Sequence, residues 1–312
     1  TDAALLGALA IAGREDAERW GAERARVAFV AMGRYGGREC SYASDADVIA
    51  LHEAVGGASD SEAAASATAI VNRVKKLLGS ATSQLGIVVD LDLRPEGKNG
   101  PMSRTIASHE EYAQRWASTW ERQAAVRARP IGDGELAQAA RSLFESMAYR
   151  DVSEAEVRDI RLLKARMENE RLPRGTEPAR HVKLGPGGLS DVEWTIQLIQ
   201  MRHGREIEAL RTSSTTDAIA AARDAGLLEA PDAEILLNAW DLATRIRAGN
   251  TLATGRMSGV KLDVVPRDSA ELGALAAILG YGSGGLTALE EDWLRAARQA
   301  RDVMERAFWE QQ

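Results

Sequence analysis

In the stretch "GRYGGRECSYASDADVIALH", residues 33–52, two aspartates stand one residue apart and open a buried-looking apolar run. Asp45 and Asp47 lead directly into Val48, Ile49, Ala50 and Leu51. Aspartate is depleted in strands, so a strand that begins with two carboxylates carries a cost. Side chains alternate along a strand, and residues i and i+2 share a face. Asp45 and Asp47 are therefore expected to point the same way. Two carboxylates about 4 Å apart repel by roughly 4 kcal/mol at an effective dielectric near 20. A divalent cation reverses that sign, and magnesium takes a few carboxylates together with phosphate oxygens.

The flanking sequence strengthens this reading. "ARVAFVAM", residues 25–32, is apolar and rich in strand formers, and reads as a first buried strand ending at Gly33. Gly36 and Gly37 follow in a glycine-rich turn, where a phosphate could approach backbone N–H groups closely. "GIVVDLDLRP", residues 86–95, reads as a third strand with Asp90, Asp92 and Arg94 on one face. An aspartate there would serve as the third acid of a two-metal site or receive the proton of an attacking hydroxyl. Arg94 would offset phosphate charge. Neither a P-loop nor a Rossmann fingerprint is present. Alone, an Asp-x-Asp is a solvated strand end and a Gly-Gly pair is a turn. Their conjunction with a crossover helix and a further acidic strand points to nucleotidyl transfer.

The wider pattern divides the chain. Its 312 residues suit two domains or one large one. Residues 3–23 read as a helix. Ser59 with Glu62 forms a capping box for a helix whose stripe is Ile70, Val71, Val74, Leu77 and Leu78. Ser108 with Glu111 is expected to cap another helix, running on toward "WASTWERQAAVRARP". Within it Arg122 and Arg129 lie seven apart and share a face, with Arg127 off it, which suits an ion-pair network. Beyond about residue 150 strand signals vanish. Three further capping boxes are read there: Ser153–Glu156, Ser190–Glu193 and Thr287–Glu290. A domain mixing strands and helices thus precedes an all-helical one, with the boundary between Tyr149 and Ser153.

Composition narrows the function classes. A net charge of −7 argues against a bulk nucleic-acid binder. The single cysteine, Cys40, excludes an intrachain disulfide and points to a reducing cytoplasm. The four histidines, 52, 109, 181 and 203, lack metal-site spacing, which makes zinc a poor expectation. The early run "ALLGALAIAG" is too short for a bilayer and has no basic leader. The chain opens without methionine and reads as a fragment or a processed piece.

"GRYGGRECSYASDADV" resembles the signature of the DNA-polymerase-β-like nucleotidyltransferases. With "DLDLRPEGKNGP", "WERQAAVRARPIGD" and "HVKLGPGGLSDVEW" following in order, the chain resembles the bacterial glutamine synthetase adenylyltransferase family over nearly its whole length. "SDADV" and "SDVEW" are closer to that family's C-terminal, adenylylating half. The resemblance implies an α+β fold: a polymerase-β-like nucleotidyltransferase domain with a mixed sheet over residues 1–150, then an all-α helical bundle over 151–312. It implies Asp45, Asp47 and Asp90 as catalytic metal ligands for two magnesium ions. Gly36, Gly37, Ser44 and Arg94 would border the phosphates of ATP. Asp92 departs from the basic residue usual in the family. The implied protein partner is glutamine synthetase, with a PII-type nitrogen-signalling protein as a second. Nucleic acid and membrane are not expected. The rival readings are the deadenylylating half of the same family, a nucleotidyltransferase with another acceptor, and a non-catalytic regulatory module. In "KLGPGGLSDVEW", one reading places Lys183, Asp191 or Glu193 near nucleotide or partner; the preferred one has Ser190 cap the helix, Glu193 complete the capping box and Gly187 and Gly188 shape the turn, with Lys183 open between the two.

Overall fold

A computed structural model describes residues 1–42, 44–79, 86–282 and 285–310. The chain divides into two compact units, with the main break between Arg150 and Asp151. The first mixes helices with a small sheet, and the second is built of helices.

The first unit opens with helix α1, Asp2–Trp20, closed by Gly21 in the left-handed region. Strand β1, Ala25–Ala31, follows, then the one-turn helix α2, Gly33–Gly36. Strand β2, Ala46–Ala54, pairs antiparallel with β1 along its length. Helix α3, Asp60–Leu78, begins at the expected capping box of Ser59 and Glu62. Its buried stripe includes Ile70, Val71 and Val74. Strand β3 is only Val89–Asp90, and β4 is Ser103–Arg104. Both run parallel to β2 on its other edge. Helices α4, Ile106–Arg115, and α5, Thr119–Ala125, come next, then strand β5, Arg129–Pro130, beside β1, and helix α6, Glu135–Ala148.

The sheet is mixed because β1 and β2 follow one another without a crossover helix and pair antiparallel, whereas β3 arrives only after the crossover helix α3. Ala46, Val48 and Ala50 share a core with Leu5, Ala8, Val71 and Val74 of α1 and α3. The alternate residues Ile49 and Leu51 are also buried, and α4 and α6 also contact β2. A strand covered on both faces reads as a continuous apolar run.

Three sequence expectations change here. The strand expected over 86–95 ends at Asp90, because the backbone N–H of Asp92 turns back to Asp90 Oδ1 at 2.7 Å. Such side-chain-to-backbone bonds compete with strand pairing. Asp92 and Arg94 are therefore in a turn and not on a strand face. The long helix expected from Ser108 is two helices broken at 116–118. Thr105, not Ser108, caps the first, and Ser118 with Glu121 forms a capping box on the second. Arg129 is a strand residue, so it shares no helix face with Arg122.

The second unit contains helices α7, Glu154–Glu170; α8, Leu189–His203; α9, Thr215–Asp224; α10, Ala230–Thr254; α11, Ser269–Ile278; and α12, Gly285–Met304. Beside them, the described residues contribute one isolated bridge, His181 with Val264. Its core joins Ile196, Leu236, Ile246, Leu275, Leu289 and Trp293, among others. The box at Ser153 and Glu156 caps α7. The other two boxes do not form, since Ser190 and Thr287 lie inside helices that start earlier.

Two outcomes follow from this packing. A Cβ on Gly36 would lie 1.8 Å from the carbonyl oxygen of Arg127, whereas one on Gly13 in α1 would meet nothing within 4 Å. Gly36→Ala should destabilise by about 3 kcal/mol, and Gly13→Ala should stabilise by about 1 kcal/mol, both read by urea unfolding. His109 is 1 % exposed and lies edge-on to Phe144, with ring centroids 5.2 Å apart. Burial, with Arg104 nearby, pushes its pKa down to about 4. The unfolded chain thus binds the proton more tightly, so stability is lost as pH falls from about 6.5 toward 4. The loss should approach about 3 kcal/mol. In His109→Gln that part of the pH dependence should be absent in unfolding curves recorded across this window.

Candidate active site

Asp47 is the second residue of β2 and Asp90 the last of β3, and the two are register partners in a parallel pair. Neighbouring strands lie about 4.8 Å apart, so the two side chains emerge side by side. Both residues are half-buried. The pairing is anchored from both sides of the acid. Ala46 N–H donates to Val88 O at 2.8 Å, and Met32 N–H donates to Asp47 O at 2.9 Å. Asp45 precedes the strand and is exposed. The structure therefore brings Asp47 and Asp90 together and leaves Asp45 exposed just before the strand. Among the described residues, no three His, Cys, Asp or Glu side chains gather into a closed cation site. An all-oxygen donor set of this kind suits magnesium, which is typically held by one or two carboxylates and completed by substrate phosphates and water.

The glycines divide their work differently from the sequence expectation. Gly36 and Gly37 are not an open turn. Their N–H groups donate to Met32 O at 2.8 Å and Gly33 O at 3.2 Å, within and just after α2. Gly36 is small because its backbone lies against that of Arg127. The glycine that faces the acid is Gly33, at φ +52°, where a Cβ would sit 3.1 Å from Asp47 Oδ2. The sequence signal for it was the end of the β1 run, where the chain must reverse beside the next strand's carboxylate.

Several arginines hold this end of the sheet by binding backbone carbonyls. Arg127 is buried, donates to Gly33 O at 3.1 Å and pairs with Glu39. Arg129 donates to Gly36 O at 2.9 Å and to Asp2 Oδ2 at 2.8 Å. Arg34 grips Glu39 O with both Nε and Nη2, at 3.1 and 2.9 Å. Arg94 reaches Leu91 O at 2.9 Å, Lys98 O at 3.1 Å and Gly100 O at 3.2 Å. Arg122 donates to Met147 O at 3.0 Å and Arg150 O at 3.1 Å, away from the acids. The ion-pair role foreseen for "WERQAAVRAR" thus extends to carbonyl binding. Glu39 and Asp2, which complete it, carried no motif signal because their partners lie about ninety or more residues away in sequence.

Cys40 and Ser44 occupy the loop before β2. Partial burial of the thiol raises the Cys40 pKa; Arg34 and a hydrogen bond with Ser44 pull it down, and Asp47 pushes it up. Cys40 itself remains exposed.

In the second unit, the "GPGG" turn is a packing device. A Cβ on Gly187, at φ +70°, would lie 1.7 Å from Ala297 O, and one on Gly185 would lie 2.0 Å from Pro178 O. Asp191 is 1 % exposed and bonds Lys164 at 2.5 Å, Arg301 at 3.1 Å and the Gly187 N–H at 2.8 Å. It belongs to the fold of this turn, and the cap expected at Ser190 is replaced by Gly188. Lys183 is exposed. Among the described residues no helix is long and apolar enough to cross a membrane.

Residues 2–143 match the model of the family described as glutamate-ammonia ligase adenylyltransferase. Residues 161–308 match the model described as GlnD PII-uridylyltransferase. The chain is 45% identical over 313 residues to the bifunctional glutamine synthetase adenylyltransferase/adenylyl-removing enzyme of Streptomyces coelicolor. It is 46% identical to the same enzyme of Streptomyces avermitilis and 40% identical to that of Mycobacterium marinum. These alignments cover 98–99% of this chain but 31% of each relative, so the chain spans about a third of their length. On this likeness, the chain belongs to the glutamine synthetase adenylyltransferase family.

Proposed function

We propose that this chain transfers AMP from ATP to a tyrosine hydroxyl of glutamine synthetase and releases pyrophosphate. The observation that carries the proposal is the in-register pairing of Asp47 with Asp90 in a chain so similar to enzymes named for this chemistry. Asp47 and Asp90, with Asp45 beside them, would hold the magnesium of the reaction, two ions in the full site. When bound, magnesium neutralises the triphosphate and polarises the α-phosphorus. Gly33, which faces Asp47, and Ser44 would border the nucleotide, while Gly36 and Gly37 shape the turn beneath it through their own backbone bonds. Arg94 contributes by fixing the turn after Asp90, since its guanidinium is occupied by three carbonyls.

The tyrosyl oxygen attacks the α-phosphorus in line with the bond to the leaving pyrophosphate. A new P–O bond forms as the α–β bridging bond breaks, and the hydroxyl proton passes to a carboxylate, for which Asp90 is the candidate. There is little covalent work for the protein, so position and charge dominate. Glutamine synthetase is the protein substrate. The match of residues 161–308 to a PII-uridylyltransferase model supports a PII-type protein as a partner of the second unit.

Asp47→Asn should keep the fold, or stabilise it slightly, because it relieves carboxylate repulsion. Transfer of labelled AMP to purified glutamine synthetase should drop at least about a hundred-fold. Near-normal transfer by the variant would remove Asp47 from the metal site. Direction is read by a second pair of mixtures. ATP with unmodified glutamine synthetase should give incorporation. Release of ADP from orthophosphate with the adenylylated form, and no incorporation in the first mixture, would assign the chain to the adenylyl-removing direction instead.

A further inference from the structure

Three cations accompany the acids in the sequence: Arg34, Arg94 and Lys98. Two of them are committed to the backbone. Arg34 holds Glu39 O through two nitrogens, and Arg94 holds the carbonyls of Leu91, Lys98 and Gly100. Lys98 differs. Its side chain is 79% exposed, and its ionic contact is with Asp92 Oδ2 at 3.2 Å.

The turn that carries Lys98 is tightly specified. It starts at the Asp92 N–H bond to Asp90 Oδ1. Glu96 sits in the left-handed region at φ 63°, uncommon for a residue with a side chain, and is followed by Gly97 at φ 56°. A Cβ on Gly100 would meet Pro95 O at 2.0 Å. Arg94 Nη2 binds the carbonyl of Lys98 itself at 3.1 Å. The Lys98 backbone is thus pinned while its ammonium swings on a four-carbon stem. Its resting partner, Asp92, is anchored through its own N–H to the carboxylate of Asp90. An exposed ion pair of this kind is weak and readily exchanged.

We propose that Lys98 determines specificity for the length of the phosphate chain. It leaves Asp92 to bind the β,γ-diphosphate tail of a nucleoside triphosphate, and Asp92 competes with that tail for the ammonium. This rests on the nucleotidyl-transfer reading above. It accounts for an acid at position 92: that carboxylate holds Lys98 beside the site when no polyphosphate is bound.

The test is direct titration of the full chain with ATP, ADP and AMP in magnesium, for wild type, Lys98→Gln, Asp92→Asn and the double variant. Lys98→Gln should weaken ATP about tenfold and leave AMP unchanged. Asp92→Asn should tighten ATP, and that gain should vanish in the double variant. Thermal unfolding of Lys98→Gln should match wild type, given the exposure of the side chain. Equal weakening of ATP and AMP by Lys98→Gln, or an unchanged ATP affinity, would overturn the role of Lys98 while leaving the transferase reading intact. Absence of nucleotide binding by wild type would overturn both.

Discussion

Carboxylates held side by side at one end of a small sheet repel, and much of the first unit's polar framework serves to keep them there. Asp47 and Asp90 are register partners, with Asp45 and Asp92 just outside the strands. Covalent geometry cannot hold such a group, because Asp47 and Asp90 are far apart in the chain. The parallel pairing of β2 with β3 does so, and it depends on the crossover helix α3, which brings the chain back to the same edge.

The charge balance at this end is indirect. The arginines are near the acids, yet Arg34, Arg94, Arg127 and Arg129 direct guanidinium nitrogens at backbone carbonyls of the surrounding loops. A guanidinium offers five donors in a rigid fork, so one side chain can fasten several carbonyls. This arrangement fixes the loop backbones around Asp47 and Asp90. Lys98 stands apart from this set: its side chain is exposed and paired with Asp92.

The second unit follows the same logic with different elements. The "GPGG" turn packs against the backbone of α12, and Asp191 is enclosed by Lys164 and Arg301. A buried carboxylate with two cations and a backbone N–H is satisfied as a packing element. Its appearance in a polar, glycine-rich motif resembles a binding signal, but here the glycines serve close backbone approach.

Local sequence alone determined the elements whose causes are local. The apolar runs of β1 and β2, the capping box before α3 and the one before α7 were all legible, because strand alternation and capping bonds join residues within a few positions. The pair of acids opening β2, and the change from a mixed to a helical pattern near residue 150, were legible for the same reason. Tertiary structure decided the rest. It ended β3 at Asp90, which moved Asp92 and Arg94 off the strand face. It made Gly33 rather than Gly36 the glycine against Asp47, and it turned Arg127 and Arg129 into clamps on α2. Each of those outcomes depends on a partner more than ten residues away or on competition between a turn and a ladder. Periodicity carries no information about such partners, because they are set by how elements pack and not by how residues follow one another.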